Sequence, residues 1–219
     1  MNAKVVAFGD SITRLGTNKA AHTEEAAAQD KTYWLDALAA KFYWELVNSG
    51  VNGDTTSKAM NRIQHDVLTH EPDFVLISFG MNDHVMKKKN VPNVSPDQYE
   101  TNLRSMAQMV RNSGAEPIFI TTNYIDENKY YTRHDPAFYE DVNGAQAWLD
   151  NYIQIMRKVG EDLKIGVADV RAECDRYELH KFSVDGVHPN ALGQSVYVKV
   201  VGGYLEANNE RWKRKGYSV

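Results

Sequence analysis

The chain has 219 residues, 42% of them hydrophobic and 25% charged, which is the composition of an ordinary globular protein with enough length for one domain and a full core. A net charge of −4 argues against a nucleic-acid binder, which would carry a basic surface. The single cysteine, Cys174, excludes an intramolecular disulfide and any CxxC zinc site, and no run of about eighteen apolar residues exists to span a membrane.

The chain opens on Val5-Val6-Ala7-Phe8, running into Gly9-Asp10-Ser11. An uninterrupted apolar run bounded by glycine predicts a buried strand. The run is too short for the apolar region of a secretory leader, so a cytoplasmic protein is expected. Residues 14–32 are polar and mixed and predict a loop, with a short helix at Thr23–Gln29. Leu35, Leu38, Ala39 and Phe42 recur at helical spacing. Tyr43–Val47 predicts a second strand, leading into the turn cluster Asn48-Ser49-Gly50-Val51-Asn52-Gly53-Asp54-Thr55. Ala59, Ile63 and Val67 mark a helix, and Asp73–Phe79 holds a third buried strand ending in Gly80-Met81-Asn82-Asp83.

Lys87–Asn93 reads as a charged and polar loop. Ser95-Pro96-Asp97-Gln98 is a capping box with proline at the first helical position, in which Ser95 accepts from an amide and Gln98 reaches back. Tyr99, Leu103, Met106 and Val110 line the helix that follows, and Gly114 sits where its C-cap belongs. Glu116–Thr122 predicts a fourth strand. The rhythm then breaks over 123–147, where Tyr124, Tyr130, Tyr131, Phe138 and Tyr139 lie among Asp, Asn and Lys. Trp148, Tyr152, Ile155 and Val159 restore helical spacing, and Ile165–Val170 predicts a fifth strand. Residues 171–187 read as largely loop, ending at Asp185-Gly186-Val187-His188-Pro189. Leu192, Val196, Val200 and Tyr204 mark the last helix, and the tail Arg211–Lys215 is basic.

Strands alternating with helices predict a parallel sheet covered on both faces, a three-layer α/β/α sandwich of five strands. No repeat or linker divides the chain, so 1–219 is expected to form one domain. Ligands of such sheets bind beyond the C-terminal strand ends, where the turns after the first three strands must emerge together. Those turns carry the parts of an acyl-transfer site. Ser11 supplies a hydroxyl, and His188, in the loop before the last helix, is the base candidate. Asp185, three residues before it, can fold back to accept the imidazole Nδ1–H. The amides of Ser11 and Gly53 and the side chain of Asn82 are candidate oxyanion donors, aided by a helical turn starting after Ser11.

With these four blocks in this order, the chain resembles the SGNH hydrolases, or GDSL esterase/lipase family, over nearly its whole length. The resemblance implies Ser11 as nucleophile, Gly53 and Asn82 as oxyanion donors, His188 as base and Asp185 as its partner. It also implies a flavodoxin-like sheet and hydrolysis with neither metal nor cofactor. Ile12 stands where the family's first block often has Leu, and the glycine needed for Gly-x-Ser-x-Gly is absent, so this is not an α/β-hydrolase elbow.

Blander roles compete for several residues. Gly50 rivals Gly53 as the oxyanion glycine; Gly53 is preferred because Gly-Asp-Thr directly precedes a helix. Asp10 and Asp83 read as structural, and His84 as a solvated loop residue. His65 and His70, five apart, miss the spacing that puts two ligands on one helix face. Lys87–Lys89 and Arg211–Lys215 read as solvated charge. The insert 123–147 either packs on its own domain or walls the pocket as a platform for sugar rings, and the loop 14–32 is a second candidate wall. The expected activity is serine esterase hydrolysis of short-chain esters, acetyl on carbohydrate above all, with a small-molecule or glycan ester as partner. The alternatives are a lysophospholipase or thioesterase on longer chains, and a non-catalytic binding module on the same fold.

Overall fold

The computed structural model describes residues 2–18, 33–178 and 181–208. The helix expected at Thr23–Gln29 and the basic tail Arg211–Lys215 lie outside the described residues. Strands β1 (Lys4–Gly9), β2 (Glu45–Gly50) and β3 (Phe74–Ser78) belong to one parallel sheet. The hairpin of β4 (Met86–Lys88) and β5 (Val91–Pro92) stands apart from it. The sheet is completed by β6 (Glu116–Ile120) and β7 (Gly166–Ala168), in the order β2-β1-β3-β6-β7. This is the flavodoxin-like order, and its switch point falls between β1 and β3.

The strands are apolar throughout because both their faces are covered. Along β1, Val5 and Ala7 face one core while Val6 and Phe8 face the other. In β3, Phe74 and Leu76 likewise oppose Val75 and Ile77. The first core is closed by α2 (Trp34–Phe42), α8 (Val170–Cys174) and α9 (Ala191–Ala207), through Leu35, Leu38, Val170, Tyr197 and Val201. The second is closed mainly by α5 (Pro96–Asn112) and, beyond the single turn α6 (Glu127–Tyr130), by α7 (Ala145–Leu163), through Leu103, Met106, Val110, Met156 and Val159.

Several boundaries differ from the sequence reading, each for a local reason. The second strand runs Glu45–Gly50, because Tyr43 caps α2 in the left-handed region (φ 54°) and stands in solvent. Thus Asn48-Ser49-Gly50 pairs with β1 instead of turning. The helix marked by Ala59, Ile63 and Val67 is broken into α3 (Thr56–Ala59), α4 (Ile63–Asp66) and a 3₁₀ turn at Leu68–His70; those three side chains still meet in one core. Most of the loop expected at 87–93 is the β4–β5 hairpin. The fifth strand stops at Ala168, where Asp169 accepts the Ala172 N–H and starts α8 inside the supposed loop. Ser95 does cap α5, but Gln98 bonds Asn102 (2.8 Å) instead of reaching back, so the capping box is half formed.

Candidate active site

Asp10, at the end of β1, accepts the Ile12 N–H (2.9 Å) and so starts the single helical turn α1 (Ser11–Arg14). That cap fixes Ser11 at the sheet edge, at the floor of a cleft of about 420 Å³. Ser11 Oγ lies 2.8 Å from His188 Nε2. His188 Nδ1 lies 2.8 Å from Asp185 Oδ2.

The three-residue spacing of Asp185 and His188 works because the loop folds around the carboxylate. Asp185 Oδ1 accepts the N–H groups of Val187 (3.1 Å) and His188 (2.8 Å). Val184 N–H donates to the His188 carbonyl (3.0 Å) across the base of the turn. Gly186 has φ +93°, and a Cβ there would lie 2.8 Å from the Asp126 carbonyl, so only glycine fits. Asp185 is partly buried, which lifts its carboxyl. The bonds from His188, side chain and backbone, and from Arg133 outweigh this and hold it well below the usual carboxylate range. This carboxyl is therefore a fixed negative partner for the imidazole.

The other turns line the same cleft. Gly53 has φ +67° and nothing within 4 Å of where a Cβ would sit, so its backbone is open to the cleft it lines. Gly50 lies inside β2, where a Cβ would meet the Arg14 nitrogen at 2.2 Å, and does not line the cleft. Asn82 lines the cleft with its side chain held by Nδ2 donating to Asp10 Oδ2 (3.2 Å), while its backbone carbonyl accepts from Asn93 Nδ2 (2.8 Å). Asp83 ties the third turn to α3, accepting from Thr56 N–H (2.8 Å), Thr56 Oγ1 (2.5 Å) and Gly80 N–H (3.2 Å). Burial lifts Asp10 to about 7 and Asp83 to about 6, because neither carboxyl meets a cation at bonding distance among the described residues.

The structure thus brings together all five residues singled out in the sequence, Ser11, Gly53, Asn82, Asp185 and His188. It corrects the reading of His84, which is fully buried and not a solvated loop residue. Its ring approaches the Gly80 carbonyl (3.3 Å) and Tyr130 Oη (3.3 Å), and Tyr130 Oη meets Tyr139 Oη (2.9 Å). Burial pushes the His84 imidazole down to about 4. His65 stands in solvent beside Asp66.

Most insert aromatics pack: Tyr124, Tyr130 and Tyr139 are buried in the first core. The insert also forms one cleft wall, through Tyr130, Arg133 and His134. The His134 ring stacks on Tyr130 at 4.0 Å between centroids. Arg133 and Arg62 are structural partners of the site that the sequence did not single out. Arg62 donates to Asp54 (2.6 Å), Ser49 O (2.9 Å) and Gly9 O (3.1 Å), clamping the second turn to the end of β1. Nothing in an isolated arginine signals such a role; only the loop–loop contact reveals it. Among the described residues, no group of three or more His, Cys, Asp or Glu is placed to hold a metal ion.

A serine, an imidazole and a carboxylate bonded in line at the switch point of a parallel sheet are the equipment of an acyl-transferring hydrolase. The model of the GDSL-like lipase/acylhydrolase family matches residues 7–196. The chain belongs to this family, the SGNH hydrolases, and is a carboxylic-ester hydrolase. The uncharacterized lipoprotein YqeF of Bacillus subtilis is 34% identical over 173 residues, covering 75% of this chain and 69% of that one. An acetylxylan esterase of Geobacillus stearothermophilus is 26% identical over 226 residues, 96% of each chain. The crystal structure of a lipase/acylhydrolase from Enterococcus faecalis shares the fold, with a TM-score of 0.73 at 23% identity over 95% of this chain and 97% of that one. No helix among the described residues is long and apolar enough to cross a membrane.

Proposed function

We propose that this esterase removes short acyl groups, acetyl above all, from carbohydrate or related polyol esters through an acyl-serine intermediate. The observation that carries the chemistry is the line Ser11–His188–Asp185, with 2.8 Å at both steps, opening on the cleft. Ser11 Oγ attacks the ester carbonyl as His188 Nε2 takes its proton, and Asp185 holds Nδ1–H and steadies the imidazolium. The amides of Ser11 and Gly53 and Asn82 Nδ2 receive the developing oxyanion. Collapse expels the alcohol, protonated by His188. Water, deprotonated by the same imidazole, then attacks the acyl-serine and releases the acid.

Three features support the short-acyl, polyol reading. The cleft is modest, and its apolar part consists of Leu15, Met81, Val85 and Val187. Its insert wall presents the half-buried His134 ring, backed by the buried Tyr130, beside Asn52, Asn93 and Arg133, a surface suited to a hydroxylated ring. A relative matched end to end is an acetylxylan esterase.

The test is a series of nitrophenyl esters from two to twelve carbons, with acetylated xylooligosaccharides alongside, on the wild type and Ser11→Ala. The expected outcome is highest kcat/KM at two to four carbons, release of acetate from the glycan, and near-complete loss in folded Ser11→Ala. A preference for eight or more carbons defeats the acetyl reading. Retention of half the activity by Ser11→Ala removes Ser11 as nucleophile. The cytoplasmic placement belongs to this proposal as well, and fractionation of the native host tests it against the lipoprotein name of the Bacillus relative.

A further inference from the structure

The loop carrying Asp185 and His188 is bolted to the segment that follows β6. Asp126 N–H donates to the Gly186 carbonyl (2.9 Å), Asn123 Nδ2 to the Val187 carbonyl (2.9 Å), and Lys129 Nζ to the Ser183 carbonyl (3.1 Å). The last bolt differs in kind. Arg133 lays one guanidinium nitrogen on Asp185 Oδ2 (2.8 Å) and the other on the Asp185 carbonyl (2.8 Å). Asp185 Oδ2 is the same oxygen that meets His188 Nδ1 (2.8 Å). One carboxylate oxygen is therefore shared by a permanent cation and by the imidazole.

We propose that Arg133 is a positioning residue for the reaction, fixing Asp185 in place and using its charge to keep His188 free of a proton until Ser11 supplies one. The inference rests on His188 being the base. Two effects act in the same direction. The guanidinium opposes a second positive charge on the far side of the shared oxygen, and its bond draws on the lone pairs that would otherwise favour imidazolium. The other groups facing His188 do not substitute for it. Ser11 is neutral. Asp10, across the serine, favours imidazolium, as Asp185 does. His134, also lining the cleft, is held toward its neutral form by burial and by Arg133. Lys129 is engaged with Asp126 and the Ser183 carbonyl.

The two 2.8 Å bonds to one oxygen put the guanidinium nitrogen no more than about 6 Å from Nδ1. With the partial exposure of Arg133, removing its charge should move the acid side of the kcat/KM profile up by about 0.5–1 pH unit. The experiment compares wild type, Arg133→Gln and Arg133→Lys on nitrophenyl acetate from pH 5 to 9, with the His188 ring followed by NMR through the same range. Arg133→Gln keeps a donor without charge and should raise both the NMR midpoint and the acid limb. Arg133→Lys keeps the charge and should leave both near wild type. An unmoved NMR midpoint in folded Arg133→Gln overturns the proposal, as does a rise of equal size in Arg133→Lys. A midpoint that moves without the activity limb supports the electrostatic link from Arg133 to His188 but removes His188 as the base, and with it the reading on which a role for Arg133 in the reaction rests. The two readings therefore fail separately.

Discussion

Replacing Asp185 by Asn perturbs one atom and should disable the site without unfolding it. In the wild type, Oδ1 accepts two backbone N–H groups, while Oδ2 accepts His188 Nδ1 and Arg133. An asparagine has one oxygen to offer. The two fixed amides, at 3.1 and 2.8 Å, will hold that oxygen at the Oδ1 position and preserve the turn. The new NH₂ group then faces two donors. Imidazole can relieve this by presenting a bare Nδ1, which puts its proton on Nε2. The nitrogen beside Ser11 Oγ then donates where it should accept. In the general Ser-His-Asp case, the wrong tautomer costs about 10⁴ in kcat, roughly 5.4 kcal/mol of barrier. Steady-state kinetics on nitrophenyl acetate should show that drop in kcat with KM little changed. Stability gives a second readout. Because Asp185 is held below the ordinary carboxylate range, it contributes stability above that range and loses it as pH falls through and below it. Asp185→Asn should therefore be less stable than wild type at pH 7, by about 2 kcal/mol, with the gap closing on acidification. A folded variant with kcat within tenfold of wild type would refute the assigned role of this carboxylate.

Two further outcomes follow from the oxyanion side. Asn82→Ala should lower kcat by roughly 10²–10³ with little effect on KM, since the proposed role of its amide is to receive the oxyanion; a loss confined to KM would remove it from the oxyanion donors. Burial lifts Asp10 to about 7 and Asp83 to about 6, so the stability they contribute is complete below the ordinary carboxylate range and is lost as pH rises through those values. Denaturant melts should therefore lose stability between pH 5 and 8, on the order of 3 kcal/mol from Asp10 alone. Asp10→Asn should flatten that slope, and an unaltered slope would show that Asp10 does not titrate there.

The central strands were legible because burial on both faces leaves a continuous apolar run, as in Val5–Phe8 and Phe74–Ile77. The site blocks were legible because Gly, Asp, Ser, Asn and His cluster at the strand ends. Elements with mixed demands were not. Ala59, Ile63 and Val67 keep helical spacing across a broken helix, because all that the core requires is that their side chains converge. Asn48-Ser49-Gly50 is polar enough to pass for a turn, yet it ends a strand at the sheet edge, where only its pairing to β1 defines it. His84 looked solvated because its neighbours Asp83 and Lys87 are charged. Its burial depends on Tyr130, Tyr139 and Trp148, which the insert and α7 bring from far along the chain. Arg133 was invisible for the same reason: its partner lies 52 residues away.

The two aspartates flanking Ser11 show how one residue type is set to opposite tasks. Asp185 receives four donors, one of them a guanidinium, and stays ionised throughout the working range. Asp10 receives the Ile12 amide and the Asn82 side chain, has no cation at bonding distance among the described residues, and is lifted to about 7 by burial. In the proposed mechanism, proton transfer from Ser11 creates an imidazolium, and a standing negative charge beside it lowers the barrier. Attack on the ester creates an oxyanion, and a standing negative charge beside that would raise it. The permanent charge therefore lies on the base side. The carboxyl behind Asn82 carries a charge that burial suppresses, while its oxygens still orient the amide. That division is what the proposed ester hydrolysis requires of a site with one carboxylate lining the cleft and another buried behind it.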